Sequence, residues 1–560
     1  MTDTSNIDEL VAPIIACLDQ HLGASDLDRA SVYVREFMAH VPSAERGRLP
    51  ASRWAELIAR QYQQLKKRTR GQTLVNIGSS ELSDGDHRHT VIDVISGDKP
   101  FLVDSATMAI SEFNLSIHLV VHPLIKVQRD AGGFLMALFP AAKGNEGQTE
   151  SVIHFQIDRQ SDPGRLAAIA QRIERNLADV SLAVRDWRAM MDKASEVAES
   201  LPSQKSPYPE AVMAETSAFI HWMIDDHFTF LGYRYYEILR TEVGIELQAK
   251  DDSGLGILGL DGPPGSRRTL SNFDPDHPKS ISESAPLVLT KANSLSNVHR
   301  SGYLDYVGIM AFDQAGVLVG EHRFLGLYTS AAYNRRPWNI PLVRTNVNSV
   351  IERSIFTQDS HGGKALLHIM ETLPRDELFQ ASPDELYELV TGVFDLQERQ
   401  KTRLLVRRDA YGRFYSCLVY IPRDRFNTET RQRIQEILMQ AFGGERIDYT
   451  VQIAESILAR LHVIVRVPAN AEPVENIDAI EAELVEAVRS WHDRLKDILV
   501  TKYGEETGLS WSDRLGGAFP AAYIEDVSPW VAAFDVENLA RLESADSLRM
   551  SLYRPRDKES

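Results

Sequence analysis

The stretch SIHLVVHPLIKVQ, Ser116 to Gln128, contains two histidines four residues apart. Whether this stretch forms a helix or a strand decides whether the two side chains could bind one metal ion. On a helix this spacing places His118 and His122 on one face, as in two-histidine metal sites, whereas on a strand it separates them by about 13 Å. β-branched residues are frequent here, and Pro123 would end a helix soon after it began. The stretch therefore predicts a strand, and it argues against a metal site.

The sequence on both sides of this strand predicts a unit in which strands and helices follow one another. HTVIDVI, residues 89–95, alternates as a strand does, and Asp98 and Pro100 mark the start of a helix with apolar residues on one face. After residues 116–128 come a further strand, SVIHFQI, and a long helix that extends from Pro163 towards Val184. The predicted order is strand, helix, strand, strand, helix.

The next region predicts an antiparallel sheet. The linker LPSQKSPYP, residues 201–209, contains three prolines and leads to a helix and then to the aromatic strand FTFLGYRYYEI, residues 228–238. DQAG, residues 313–316, lies between two apolar runs and is typical of a hairpin turn. Residues 251–281 are rich in Gly, Pro and Asp, which indicates a loop.

The strand and helix pattern recurs towards the end of the chain. Two helices, over 361–373 and 383–397, precede a hairpin that turns at Asp409–Gly412. Later strands lead to a long helix whose apolar face extends over 477–495. This recurrence predicts a second copy of the first module. A single strand, SLRMSLYRP at 547–555, follows, so we expect the chain to end inside a third module.

Composition and charge restrict the class of protein. With 560 residues the chain is too long for one core, and 43% hydrophobic and 25% charged residues are typical of a soluble multidomain protein. The net charge of -18 argues against a nucleic-acid partner, because binding phosphates needs a basic surface. An acidic N-terminus and the lack of a bilayer-spanning apolar run argue against a membrane. Because only two cysteines occur, we expect a cytoplasmic protein.

Short motifs for cofactor binding are weak in this sequence. GLGILG, residues 254–259, matches the glycine pattern of dinucleotide sites, but DDS precedes it where a strand is needed. Pro263 and Pro264 follow where a helix should begin. HGGKAL, from His361, lacks the first half of a phosphate-binding loop and is better explained as a helix cap.

Catalytic and metal-binding motifs are also missing. No H-E-x-x-H, G-x-S-x-G or paired C-x-x-C pattern occurs. Asp225 and Asp226 beside His227 could do acid and base chemistry, but a charged turn between a helix and a strand is the commoner explanation. Glu525 and Asp526 receive the same interpretation. We therefore assign no catalytic residue and no metal ligand.

A basic cluster follows the helical pattern near residue 60. Lys66, Lys67, Arg68 and Arg70 could form a phosphate patch. The interpretation that we prefer is that these cations occupy a last helical turn, where they meet the negative end of the helix dipole, and that Gly71 ends the helix.

The turn SGDKPFLVD, residues 96–104, is the candidate ligand site. Free backbone N–H groups at a helix start could hold a carboxylate, with Lys99 adding positive charge and Asp98 and Asp104 completing an effector site. The alternative is that this segment is only a turn and that the sheet serves as an interaction surface.

Five long segments of the chain are recognisable together: DKPFLVDSATMAISEFNLSIHLVVHPLIKVQRD, DDHFTFLGYRYYEI, METLPRDELF, RFYSCLVYIPRDRFNTETR and FPAAYIEDVSPWVAAFDVENL. They resemble one protein family, the N-terminal part of the large bacterial NAD-specific glutamate dehydrogenases. The resemblance extends over most of residues 30–555 in the same order.

The resemblance implies an α+β multidomain fold of ACT-like (ferredoxin-like) modules with a PAS-like antiparallel-sheet module and connecting helices. The expected divisions are an N-terminal helical segment at 1–72, a first ACT-like domain at 85–200, a PAS-like domain at 207–335, a helical connector at 336–400, a second ACT-like domain at 401–505, and the incomplete start of a third at 506–560.

The implied activity is oxidation of L-glutamate by NAD to 2-oxoglutarate and ammonium in a homo-oligomer. The family's catalytic lysine, aspartate and dinucleotide-binding residues lie further along than this sequence extends, so none is carried over. We expect NAD to serve the full-length enzyme and no cofactor to be bound to this chain.

Three functions remain open from the sequence. The first is the regulatory and oligomerisation region of a glutamate dehydrogenase, inactive alone, with an amino acid as a possible effector. The second is a free-standing amino-acid sensor without catalysis. The third is an enzyme whose site is assembled across modules.

Overall fold

The computed structural model describes a chain that divides into two compact units between Arg344 and Thr345. The described residues are 5–84, 87–142, 147–241, 244–259, 285–396, 399–453, 456–468 and 471–542. The predicted strand at 547–555, Pro263 and Pro264 of the glycine motif, and most of the predicted loop at 251–281 lie outside these ranges.

The first unit begins with helices and an antiparallel sheet. The helices are α1 (Ser5–Leu18), α2 (Ala24–His40), α3 (Ser43–Arg46) and α4 (Ala51–Leu65). The next elements are β1 (Leu74–Asp84), β2 (His87–Gly97), α5 (Leu102–Ser111), β3 (Ile117–Val121), β4 (Leu124–Arg129), β5 (Leu135–Pro140) and β6 (Gln148–Ile157). The sheet starts at Leu74, ahead of the expected boundary at 85, because β1 pairs with β2.

The strands of this first sheet are ordered β1-β2-β6-β4-β5, and β3 also pairs with β6. One face packs on α1, α2 and α4, and the buried side chains between them include Tyr33, Phe37 and Ile58. Burying such a large apolar side chain contributes about 1.5–3 kcal/mol. The helical segment at the N-terminus is thus part of the core that supports the sheet.

The strand predicted from the opening stretch is confirmed as β3, followed directly by β4. Its two histidines have separate partners: the His118 Nε2 lies 2.8 Å from an oxygen of Asp158, and the His122 Nε2 lies 2.5 Å from the Ser151 Oγ. Across the described ranges, no group of histidine, cysteine and carboxylate side chains is arranged to hold a metal ion.

A long helix leads from the first sheet to the second. Helix α6 (Pro163–Ser200) has 38 residues and extends well beyond the expected end near Val184. The Asp162 carboxylate caps it by accepting hydrogen bonds from the backbone N–H groups of Gly164 and Arg165, and Pro163 suits the first position. Helix α7 (Glu210–Trp222) follows.

The second sheet of this unit is also antiparallel, with the order β10-β11-β12-β7-β8 and β9 paired with β7. Its elements are β7 (Phe228–Thr241), β8 (Gly244–Ala249), β9 (Leu255–Gly256), β10 (Leu287–Leu295), β11 (Tyr303–Phe312) and β12 (Leu318–Tyr328), followed by α8 (Ser330–Asn334). The predicted hairpin turn is confirmed, because the Gly316 N–H donates to the Asp313 carbonyl. The predicted antiparallel sheet is confirmed. That this sheet belongs to a PAS-like domain remains a prediction.

The second unit contains helices around a four-stranded antiparallel sheet of order β13-β14-β16-β15. Helix α9 (Val343–Arg353) crosses the division between the units in sequence. The further elements are α10 (His361–Thr372), α11 (Arg375–Gln380), α12 (Pro383–Leu396), β13 (Arg403–Arg408), β14 (Phe414–Pro422), α13 (Thr428–Ala441), β15 (Arg446–Gln452), β16 (Leu458–Arg466), α14 (Ile477–Val488), α15 (Trp491–Tyr503), α16 (Glu505–Leu515), α17 (Ala521–Asp526) and α18 (Pro529–Ala540).

The single long helix predicted over 477–495 is wrong, because two helices occupy this segment. Arg489 adopts an extended conformation, and Ser490 then starts α15 with a capping box. The Ser490 Oγ accepts from the Asp493 N–H, and the Asp493 carboxylate accepts from the Ser490 N–H. Apolar residues keep the helical spacing on both sides of the break, so the periodicity of the sequence did not indicate that one helix ends and another begins.

Candidate effector site

The predicted effector turn joins β2 to α5. Helix α5 begins at Leu102, and Phe101 before it has φ 70°, in the left-handed region. This conformation is strained for a bulky residue, at a cost of about 1–3 kcal/mol, and such strain often accompanies functional sites. The ring of Phe101 lies 4.8 Å from the imidazole of His299, measured between centroids.

Asp104, on the first turn of α5, faces the same histidine. Its carboxylate lies 3.5 Å from the His299 Nδ1, and the His299 backbone N–H donates to the Ser105 Oγ at 3.1 Å. Ser105 also binds α6, since the Asn176 Nδ2 donates to the Ser105 carbonyl at 3.0 Å. The candidate site is therefore a polar junction between α5, α6 and the loop that follows β10.

Two polar atoms at this junction have no hydrogen-bond partner among the described residues. They are the His299 Nδ1 and the Oδ1 of Asn176, a residue that is fully buried. A buried acceptor without a partner costs about 1–3 kcal/mol, so a bound ligand or water that donated to Asn176 would be stabilised.

Lys99 and Asp98 lie apart from this junction. The Lys99 Nζ donates to the Ser181 Oγ on α6 at 2.6 Å, and burial, followed by repulsion from Arg68, lowers the pKa of Lys99. The side chain of Asp98 is exposed, while its backbone N–H donates to the Thr149 carbonyl. Among the described contacts, none joins Asp98, Lys99 and Asp104 to one another.

A buried polar network crosses the first sheet on its helix-covered face. The Asp93 carboxylate on β2 lies 2.7 Å from the His154 Nδ1 on β6 and accepts from the Gln61 Nε2 of α4 at 2.6 Å. The Tyr33 hydroxyl donates to the Gln61 Oε1 at 2.8 Å. Burial opposes ionisation of Asp93, but the hydrogen bonds and charge of His154 keep its pKa below the usual range.

A comparable network crosses the sheet of the second unit. The Arg407 guanidinium donates to Glu377 of α11 at 2.8 Å, and the Ser416 Oγ donates to Glu377 at 2.6 Å while lying 2.8 Å from the His462 Nε2. Although burial opposes ionisation, Arg407 and His462 hold the pKa of Glu377 far below its usual range. All four side chains are buried. The carboxylate binds the serine itself, so this group does not have the arrangement of a hydrolytic triad.

The basic cluster after α4 does not have the helix-dipole role that the sequence favoured. Helix α4 ends at Leu65 and carries no cation in its last turn, so the preferred helix-dipole interpretation is wrong. Lys66 pairs with Asp26 at 2.8 Å, and the Lys67 Nζ lies 4.9 Å from the centre of the Phe134 ring.

Arg68 turns inward and forms a buried ion triad. Its Nη2 donates to the Glu150 Oε1 at 2.6 Å, and Arg129 donates from its Nε and Nη2 to both oxygens of the same carboxylate at 2.7 Å. Burial opposes ionisation of Glu150, but the two guanidinium groups lower its pKa overall. The triad joins the end of α4 to β4 and β6.

The glycine pattern 254–259 has a packing role. Gly256 lies in β9, antiparallel to β7, and its N–H donates to the Asp186 carboxylate at 2.9 Å. A Cβ there would lie 2.2 Å from the Leu231 carbonyl oxygen, and φ is +59°, so a glycine is required. A parallel strand, which a dinucleotide-binding turn needs, does not precede the pattern in the described part of the chain.

The remaining sequence candidates also have local roles. Asp225 and Asp226 lie in an irregular turn between α7 and β7, and the His227 Nδ1 lies 2.9 Å from the Trp222 carbonyl oxygen. The Ser360 Oγ accepts from the Gly363 N–H and caps α10, which confirms the capping interpretation of this segment. None of the described helices has both the length and the apolar composition needed to cross a bilayer.

Comparison with known proteins relates the chain to one family. Four family models match: "Glutamate dehydrogenase, ACT1 domain" at 33–173, "Glutamate dehydrogenase, helical motif 1" at 340–399, "Glutamate dehydrogenase, ACT2 domain" at 403–492 and "Glutamate dehydrogenase, helical motif 2" at 498–542. The chain is homologous to the NAD-specific glutamate dehydrogenases.

Curated glutamate dehydrogenases from three bacteria are similar over most of the chain. The NAD-specific glutamate dehydrogenase of Pseudomonas aeruginosa is 34% identical over 96% of the chain, and that of Halomonas elongata is 34% identical over 83%. The Mycobacterium tuberculosis protein is 28% identical over 92%. The aligned part is 33%, 29% and 31% of these relatives, so the chain spans about a third of their length.

The homology confirms the resemblance found in the sequence and identifies two ACT domains. The first match spans the sheet of β1 to β6, and the second spans that of β13 to β16. Sequence reasoning missed Ser105, Asn176 and His299, which contact one another at the junction beside the candidate turn. Ser105 and His299 are 194 residues apart, so no local pattern could have joined them.

Proposed function

We propose that this chain is the regulatory and assembly region of an NAD-dependent glutamate dehydrogenase. The whole enzyme would oxidise L-glutamate with NAD and water to 2-oxoglutarate, ammonium and NADH. The observation that carries the proposal is the 34% identity over 96% of the chain to a relative of which it spans only 33%, combined with matches to ACT domains and helical motifs. This homology does not favour a free-standing sensor.

Catalysis and NAD binding are proposed to reside outside these 560 residues. Two observations support this: the glycine pattern at 254–259 packs against β7, and the serine, histidine and glutamate of the second sheet are buried in a structural network. The dinucleotide cofactor of the family would then act elsewhere in the enzyme. We also propose a PAS-like identity for the β7 to β12 sheet, a homo-oligomeric enzyme and a cytoplasmic location.

The effector is proposed to be a small amino acid held at the junction of α5 and α6. The carboxylate of Asp104 would receive the ammonium group, and the backbone N–H groups at the start of α5 would receive the carboxylate. Lys99 and Asp98 would set the charge at the edge of the site. Support comes from the strained Phe101 and from the partnerless acceptor of Asn176.

Calorimetric titration of the full chain with each of the twenty amino acids tests this role. We expect heat with at least one of them, and a loss of affinity on the order of tenfold in Asp104→Ala, because one charge-assisted hydrogen bond is removed. Asp28→Ala, which removes an exposed carboxylate from α2, is the matched control and should bind normally. Absence of heat with all twenty amino acids would contradict the effector site.

A further inference from the structure

A cavity of about 630 Å³ lies between the segment after α4 and the turn that joins β4 to β5. Its lining includes Arg68, Arg70 and Arg129 together with Val127 and Met136. This volume is within the range of small-molecule sites, roughly 300–1,000 Å³, and exceeds the room that a bare inorganic ion needs. Three cations therefore meet at a space large enough for an organic molecule.

The buried part of this cluster has more positive than negative charge. Arg68 and Arg129 are 3% and 11% exposed, and they share the single carboxylate of Glu150, which is fully buried. A buried charge is costly unless it is compensated, so the surplus cation favours an anion in the adjoining cavity. Asp130, also in the lining, has one oxygen bound to the Phe134 N–H.

Each buried guanidinium also keeps one unused donor. Of its five N–H groups, Arg68 uses two on Glu150 and two on the carbonyls of Thr69 and Gln72. Arg129 likewise uses two on Glu150, and its Nη1 donates to the carbonyls of two further residues. Among the contacts of the described residues, one N–H of each remains available.

Arg70 supplies a third and different cation. It is exposed, it lines the cavity, and it forms no ion pair with any described residue. Unlike Arg68 and Arg129, it holds no part of the fold together.

Glycine backbone forms part of the cavity wall. Gly133 has φ +84°, and a Cβ there would lie 2.7 Å from the Arg68 carbonyl oxygen. Gly147 has φ +90°, and a Cβ would lie 2.7 Å from the Val127 carbonyl oxygen. Side chains are excluded at both positions by this neighbouring backbone, so glycine lets these two segments of the wall pack closely against Arg68 and Val127.

We propose that this cavity binds a small organic dianion, either a phosphate ester or a dicarboxylate. Guanidinium groups present planar forks of donors that match these oxyanions, and three converging arginines suit a doubly charged group better than a singly charged one. Val127 and Met136 would contact the organic part of the ligand. The site is separate from the amino-acid effector site, and it goes beyond the regulatory role proposed above.

The test is calorimetric titration of the full chain with inorganic phosphate, malonate and acetate at constant ionic strength. Phosphate or malonate should bind and acetate should not, and the tighter of the two dianions identifies the ligand class. Arg70→Ala should weaken that binding by about tenfold or more, because it removes one charge-assisted contact. Arg48→Ala, which removes an exposed cation that follows α3 and pairs with Glu45, is the control for net charge and should bind normally.

Three results would overturn the site: no binding of either dianion, binding of acetate as tight as that of the dianions, or equal affinities of Arg70→Ala and the unmodified chain. The two ligand sites fail independently. If phosphate or malonate binds while all twenty amino acids give no heat, the effector site at Asp104 is wrong and the anion site stands.

Discussion

At the scale of single residues, the first sheet depends on one carboxylate. Glu150 is fully buried and is the only described counter-charge of Arg68 and Arg129, which join the end of α4 to β4 and β6. Removing one member of a buried ionic group costs more than the group contributes, because the remaining charges lose their compensation.

Glu150→Gln should therefore lower the free energy of unfolding by about 3–5 kcal/mol. The substitution keeps the shape of the side chain but leaves two buried cations without a counter-charge. Urea denaturation followed by circular dichroism measures the effect. Glu56→Gln, at a surface ion pair with Arg53 on α4, should change the value by less than about 0.5 kcal/mol. Equal effects of the two substitutions would contradict the role of Glu150.

Three buried carboxylates also predict how stability depends on pH. The pKa values of Asp93, Glu150 and Glu377 are lowered in the folded chain from ordinary values of 3.8, 4.5 and 4.5. The unfolded chain therefore binds protons first as the pH falls, so the stabilisation is complete well above pH 4.5 and is lost progressively below it.

Urea denaturation between pH 7 and pH 3 tests this dependence. The free energy of unfolding should change little near neutrality and should then fall steeply as the carboxylates of the unfolded state become protonated. Glu150→Gln should reduce that slope. A free energy that rises on acidification would show that the signs of these pKa shifts are wrong.

At the scale of elements, helix α6 connects the two sheets of the first unit, and its start is well defined. The Asp162 carboxylate accepts from the N–H groups of Gly164 and Arg165 at 3.1 and 3.2 Å. Asp162→Ala should destabilise the protein by about 1 kcal/mol, the usual cost of losing such a cap. Thermal denaturation measures this loss.

The control for the helix cap is Asp192→Ala, an exposed change inside the same helix. It should be close to neutral, within about 0.5 kcal/mol, because alanine favours helix and no cap is removed. A neutral Asp162→Ala, or a loss of the same size in both variants, would show that the cap does not stabilise α6.

Sequence reasoning succeeded for elements whose signals are local. Alternation and Pro123 predicted β3, and DQAG predicted the turn between β11 and β12. It failed where two signals overlapped, as at Ser490, where a cap interrupts a continuous apolar period. The end of α6 was also predicted too early, near Val184 instead of Ser200. Polar residues are frequent beyond Val184, but they do not end a helix that packs along only one face.

At the scale of the site, sequence reasoning predicted a candidate turn but not the residues that contact it. Asp104 was predicted from its place near a helix start, whereas His299 and Asn176 reach it only through tertiary contacts. The basic cluster shows the same limit. Its arginines were visible in the sequence, but the buried Glu150, 82 residues from Arg68, could not be assigned to them.

At the scale of the whole molecule, the family was recognisable because five long segments match in order, and two ACT domains follow from that homology. Each of the two units contains an ACT sheet whose central strands share a buried polar network with a preceding helix. These networks bind helical segments to the sheets. Our central claim is that the 560 residues contribute regulation and assembly rather than chemistry.

The most direct measurement is NADH formation by the purified chain with L-glutamate and NAD. The NAD-specific glutamate dehydrogenase of Pseudomonas aeruginosa at equal concentration serves as the positive control. We predict no glutamate-dependent NADH above the buffer value for this chain. Glutamate-dependent NADH formation by the purified chain would contradict the claim and would require a catalytic centre within these residues.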